Sequence, residues 1–145
     1  MRIYLDLCCF NRPFDDQASI TVRLETEAKL HIQQKILDKD FDLVWSYILD
    51  FENSQNPFEE RKSSISKWSN FSTTDISETP EILQKAKTYV ESGIKPKDAL
   101  HVASAIEGGC EYFITTDLGI IKKRDKIEEI RIVDPVEFLR AQNED

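Results

Sequence analysis

Four carboxylates on four separate segments of this chain, Asp6, Glu52, Asp98 and Asp117, carry its most suggestive chemistry. Carboxylates gathered within a few ångströms repel one another and resist ionising unless a cation sits among them. Hard, oxygen-seeking ions such as Mg2+ or Mn2+ suit an all-Asp/Glu set better than zinc does. Such a site can activate a water and stabilise the oxygen that departs when a phosphodiester is cleaved. Competing nucleophiles are weak. Cys8 and Cys9 have no His nearby in sequence, and neither a Gly-x-Ser-x-Gly elbow nor a Gly-rich phosphate loop occurs.

The elements expected around these acids would bring them to one rim. Ile3-Tyr4-Leu5 reads as an apolar strand with Asp6 near its C-terminal end, followed by a polar turn over Asn11–Asp16. Asp40–Ser46 reads as a second strand, and Ser46 can cap a helix from Tyr47 to about Ser54. On that helix Glu52 shares the face of Ile48, whereas Asp50 points to the solvent side; both are candidates for a helical ligand. Pro96 suits a first helical turn, Asp98 lies inside that turn, and Ala99–Ile106 is apolar nearly all round, as in a buried helix. Gly108-Gly109 ends that helix, and Tyr112–Thr116 reads as an interior strand closing at Asp117.

Further elements complete the alternation. A helix over Ser19–Asp38 carries the stripe Leu24, Ala28, Ile32 and Ile36, with His31 beside it. A polar helix through Glu59–Lys62 closes on Trp68 and Phe71 as expected core anchors, and Ser72–Ile76 is the least apolar strand. Thr79-Pro80-Glu81 starts a helix with Ile82, Leu83, Ala86, Tyr89 and Val90 on its apolar face. Ile130–Val133 is a last strand, and Asp134-Pro135 opens the terminal helix. Strands alternating with helices predict a mainly parallel α/β sheet covered on both faces. In such sheets ligands bind outside the carboxyl ends of the strands, where the strand order reverses.

Composition narrows the class. The chain has 145 residues, 32% of them charged, with no repeat or linker, so a single domain over residues 1–141 with a frayed tail over 142–145 is expected. A net charge of −8 argues against a protein that coats nucleic acid non-specifically. Three cysteines form no disulfide framework, and adjacent Cys8 and Cys9 would point to opposite faces of a strand. A reducing, cytoplasmic setting follows, and no membrane-spanning run or signal peptide is visible.

Three segments give the chain a resemblance to PIN-domain proteins, the fold of VapC-type toxin ribonucleases. Leu5-Asp6 with Cys8-Cys9-Phe10-Asn11-Arg12-Pro13-Phe14-Asp15-Asp16-Gln17 is similar to a prokaryotic PIN subgroup. Lys95-Pro96-Lys97-Asp98-Ala99-Leu100-His101-Val102-Ala103-Ser104-Ala105 resembles the family's Asp-containing helix, and Thr115-Thr116-Asp117 its strand-terminal Thr-Asp. The resemblance implies a three-layer α/β/α sandwich and a Mg2+- or Mn2+-dependent endoribonuclease. Asp6, Glu52, Asp98 and Asp117 would then be its metal-binding and catalytic acids. It also implies an RNA substrate, a cognate antitoxin as partner, and often a homodimer. Leu7 and Leu118 depart from the polar residues many members carry beside the first and last acids. Arg12, Lys122, Lys123 and Arg124 are candidates to contact RNA phosphates, with a solvated charged turn as the alternative. His101, three residues past Asp98, could face the site, with a buried helix-packing role the favoured reading. A non-catalytic PIN module binding RNA or a protein is the second reading. A phosphoryl-accepting receiver domain is the third, and it lacks the late-strand Lys it would need.

Overall fold

The structure, a computed structural model, describes residues 1–143. Five short strands form one sheet: β1 (Arg2–Leu5), β2 (Asp42–Ser46), β3 (Ser72–Ile76), β4 (Tyr112–Ile114) and β5 (Arg131–Val133). Their order is β3-β2-β1-β4-β5 and every pairing is parallel, so the expected mainly parallel sheet is entirely so. The chain first builds outward from β1 through β2 to β3, then crosses back to place β4 on the other side of β1. The order therefore reverses between β1 and β4, and the C-terminal ends of those strands flank a crevice.

Parallel strands covered on both faces need apolar side chains in both directions, and the central strands supply them. Ile3, Tyr4, Leu5, Leu43, Val44, Trp45, Phe113 and Ile114 are all fully buried. Among the described residues eight α-helices connect and cover the strands: α1 (Leu7–Asn11), α2 (Ile20–Leu37), α3 (Tyr47–Ser54), α4 (Glu59–Ser66), α5 (Pro80–Glu91), α6 (Pro96–Glu107), α7 (Leu118–Ile121) and α8 (Pro135–Gln142). Among them α5 packs on α6 and α2 packs on α8. Most boundaries follow local chemistry. Ser19, Ser46, Thr79 and Asp134 each accept a backbone N–H as caps, and Pro80, Pro96 and Pro135 occupy first turns. After α6, a Cβ on Gly108 would lie 2.7 Å from Val44 Cγ1, so only glycine lets the helix end pass this close to β2.

Several expectations are corrected. Asp6 stands just past the end of β1, where it caps α1, so Cys8 and Cys9, expected to alternate along a strand, sit on a short helix. Leu24 is 55% exposed, while Glu25, Lys29 and Gln33 are buried, so the stripe on α2 is rotated toward polar positions. Ion pairing of Glu25 with Arg12 at 3.0 Å makes that rotation tolerable. Trp68 is partly buried and packs against the core, whereas Phe71 is exposed at the end of the 3-10 turn Lys67–Phe71 and anchors nothing. Leu83 and Val90 likewise face outward, leaving Ile82, Ala86 and Tyr89 as the buried face of α5. The terminal helix includes Gln142, whose amide donates to Phe138 O, so the expected tail is helical at its first residue; Glu144 and Asp145 lie outside the described residues. No helix among the described residues is long and apolar enough to cross a membrane.

Candidate metal centre

Parallel pairing of β1 with β4 puts Leu5 opposite Ile114, so the next residues, Asp6 and Thr115, emerge side by side at the crevice. Asp6 N–H donates to Ile114 O at 2.9 Å, extending the ladder one step past the strand. The Asp6 carboxylate, 5% exposed, is held at both oxygens. Leu7 N–H donates to Oδ1 at 2.8 Å and Thr115 Oγ1 to Oδ2 at 2.8 Å. Thr115 Oγ1 also accepts from Asp117 N–H at 3.0 Å, and Asp117 Oδ1 accepts from Gly119 N–H at 2.8 Å to cap α7. One threonine hydroxyl thus ties the first acid to the last.

The two helical acids arrive from either side. Glu52, on α3, places Oε1 in a hydrogen bond with His101 Nε2, and that same nitrogen is 3.7 Å from Asp6 Oδ1. Asp6, Glu52 and His101 each offer a ligand atom within 4.8 Å of the others. Asp50, the other candidate on α3, instead accepts from Trp45 Nε1 at 2.8 Å. Asp98, in the first turn of α6, is half-buried, and its pKa is pushed up to about 6. Burial is the main cause, followed by the negative charges of Asp6 and Asp117; His101 opposes them, and Glu52 adds to them. Burial alone would lower the His101 pKa, but the charge of Asp6 and the hydrogen bond and charge of Glu52 outweigh it, so the group is raised. Glu52 behaves in the opposite sense. Burial would raise it, yet His101 and the charge of Lys97 hold it below the usual range.

These shifts fix a sign for stability. Asp98 binds a proton more tightly folded than unfolded, so stability falls as pH rises from about 4 through about 6. Asp98→Asn removes this repulsion. In EDTA-treated protein the variant is expected to exceed wild type by about 1 kcal/mol at pH 7.5, after discounting for partial exposure, and to match it near pH 4. Urea melts at the two pH values check this; equal stability at both would mean that the acids do not share a field.

Three of the four basic candidates, Arg12, Lys123 and Arg124, are engaged by other groups of the chain. Arg12 pairs with Asp15 and Glu25, each at 3.0 Å, and Arg124 pairs with Glu137 at 3.1 Å. Lys123 Nζ donates to Gly93 O at 2.6 Å and Lys126 Nζ to Ser92 O at 2.7 Å, fastening the α5–α6 turn to the segment after α7. Lys122 is exposed. Sequence reasoning passed over Lys97, whose charge reaches Glu52, and Thr115. It favoured packing for His101 over a place at the site; the residue is fully buried and also reaches Glu52. The available signals were the spacing of His101 from Asp98 on one helix face and the place of Thr115 next to the strand-end acid.

The sequence matches no family model and no curated protein. Solved structures do match. One is the crystal structure of VapBC2 from Rickettsia felis bound to a DNA fragment from their promoter, at 15% identity and a TM-score of 0.56, covering 91% of this chain and 97% of that one. The chain has a VapC-like PIN fold. VapBC-1 from nontypeable Haemophilus influenzae is a second match, at 16% identity and a TM-score of 0.55, covering 94% of this chain and 99% of that one. The reversal of strand order between β1 and β4 explains why Asp6 and Asp117, distant in sequence, are joined through Thr115.

Proposed function

We propose that this chain is a Mg2+- or Mn2+-dependent endoribonuclease whose Asp6, Glu52, Asp98 and Asp117 hold the cation and carry out hydrolysis of RNA phosphodiesters. One observation carries the reading: Asp6 and Glu52 bring carboxylate oxygens within 4.8 Å of each other at the reversal point of a PIN fold, and burial, followed by the charges of Asp6 and Asp117, raises Asp98 beside them. A set of acids that raises its own proton affinity lacks positive charge, and carboxylate oxygens such as those of Asp6 and Glu52 fit a hard divalent cation. A cation bound there would supply the charge that acidifies a water and offsets negative charge on the departing oxygen. The protein's part is placement. Thr115 and the backbone of Leu7 hold Asp6 in one orientation, and the buried body of α6 sets where Asp98 stands. Asp98 and Asp117 are both only partly buried, on the side from which a strand of RNA can reach the site. Exposed Lys97 and Lys122 would meet its phosphates. Both similar structures are VapBC complexes, and on that likeness we assign the chain as the toxin of a pair neutralised by an antitoxin.

The test is cleavage of a labelled single-stranded RNA. Wild type should cut it in Mn2+, stop when EDTA is added, and lose nearly all activity as Asp98→Asn. Calorimetric Mn2+ binding without any cleavage would instead make the chain a non-catalytic PIN module. Activity that survives EDTA would remove the metal from the mechanism.

A further inference from the structure

Charge accounts for a cation among these acids but not for how Glu52 is presented to it. Glu52 hydrogen-bonds the imidazole of His101, a fully buried side chain. The opposite edge of that ring is also held. His101 Nδ1 lies 2.6 Å from Tyr4 Oη, Tyr4 Oη lies 2.6 Å from Ser46 Oγ, and Ser46 Oγ accepts from Leu49 N–H at 3.3 Å. Tyr4, Ser46 and His101 have no measurable exposure, and they come from β1, the end of β2 and α6. Tyr4 is fixed in turn by stacking on Phe113, with ring centroids 5.4 Å apart.

Counting protons along this chain decides what the imidazole can do. Among the described residues, the Ser46 hydroxyl has Tyr4 Oη as its hydrogen-bond acceptor, and the Tyr4 hydroxyl can then donate to His101 Nδ1. With Nδ1 accepting, Nε2 carries the ring proton and donates to Glu52 Oε1. An imidazolium would also donate from Nε2. Only the Nδ1–H tautomer would free Nε2 to bind a metal. That tautomer reverses the chain and leaves the buried Ser46 O–H without an acceptor, at a cost comparable to a lost hydrogen bond.

We infer that His101, oriented by Tyr4 and Ser46, is a positioning residue that occupies Glu52 Oε1 and so leaves Glu52 to meet the cation through Oε2 alone, although the imidazole itself lies within ligand distance of Asp6 and Glu52. The inference rests on the proposed metal site and adds to it that the helical glutamate binds through one oxygen. Histidine thereby holds a metal ligand instead of being one, the reverse of the usual arrangement in which a carboxylate orients a ligating histidine.

Mn2+ titration followed by electron paramagnetic resonance tests it on the full-length protein, together with nitrogen-15 spectra of the His101 ring. His101→Leu removes the donor and is expected to weaken Mn2+ binding by about tenfold or more, the usual scale for loss of a partner behind a metal ligand. His101→Gln restores a donor toward Glu52 and should bind within about threefold of wild type. Tyr4→Phe preserves the packing and loosens only the ring, so a loss of roughly three- to tenfold is expected even if His101→Leu does not fold. The ring spectrum should show a protonated Nε2 both without metal and with diamagnetic Mg2+, and Glu52→Gln should shift that signal. Wild-type affinity in folded His101→Leu and Tyr4→Phe would reduce His101 to packing. Tighter binding in His101→Leu, or loss of the Nε2 proton on adding Mg2+, would likewise overturn the inference. If wild type binds no Mn2+, the metal site and the positioning role fall together, whereas loss of the role alone leaves wild-type binding intact.

Discussion

Asp6→Asn is expected to lower metal-dependent RNA cleavage on the order of a thousandfold, about 4 kcal/mol of transition-state stabilisation. Asp6 is the most buried of the four acids and stands where β1 and β4 diverge, with Thr115 on one oxygen and Leu7 N–H on the other. Asparagine can reproduce both contacts. Its carbonyl can accept from Leu7 N–H, and its amide can donate to Thr115 Oγ1 after the hydroxyl rotates. The fold should therefore survive while the charge is lost, so the effect is read in catalysis and not in melting temperature. Cleavage rates at saturating Mn2+ measure it. A variant within tenfold of wild type would place the cation away from Asp6.

Phe113→Ala has the largest expected effect on stability, a loss of roughly 3–5 kcal/mol. Its ring is fully buried in the middle of β4 and lies nearly parallel to Tyr4, at 12°, on the neighbouring strand. Rigid strands on both sides cannot close over the vacated volume, so the cavity penalty adds to lost apolar burial. For a chain of this size the melting temperature should fall by roughly 10–15 °C. Because Tyr4 orients His101, the folded fraction should also bind Mn2+ more weakly. Urea unfolding checks the first claim. A loss under about 1 kcal/mol would mean that the core repacks around the smaller side chain.

Local signals in the sequence were enough for the elements that matter most. Pro96 and Asp98 in a first turn, the apolar body that follows, and the caps at Ser46 and Thr79 are short-range chemistry, and the helices begin where those residues require. Strand-end acids at Asp6 and Asp117 were visible because a charge at the end of an apolar run has few structural explanations. The errors have a common cause in long-range packing. On α2 the burial of Glu25 depends on Arg12, which periodicity cannot register. Phe71 is aromatic but lies at the end of a 3-10 turn that the tertiary arrangement leaves at the surface.

By itself, then, the sequence determined an α/β protein with acids at the ends of its elements, since helix starts, apolar runs and charge positions are written within a few residues of each other. Only the tertiary structure decided that the sheet order reverses between β1 and β4, which makes the ends of these two strands one site. It separated Glu52, which the sequence favoured, from Asp50, because His101 Nε2 engages Glu52 and Trp45 Nε1 engages Asp50. It also joined His101, Tyr4 and Ser46 into one buried network, since hydrogen bonds between residues as many as 97 positions apart leave no local trace in the chain.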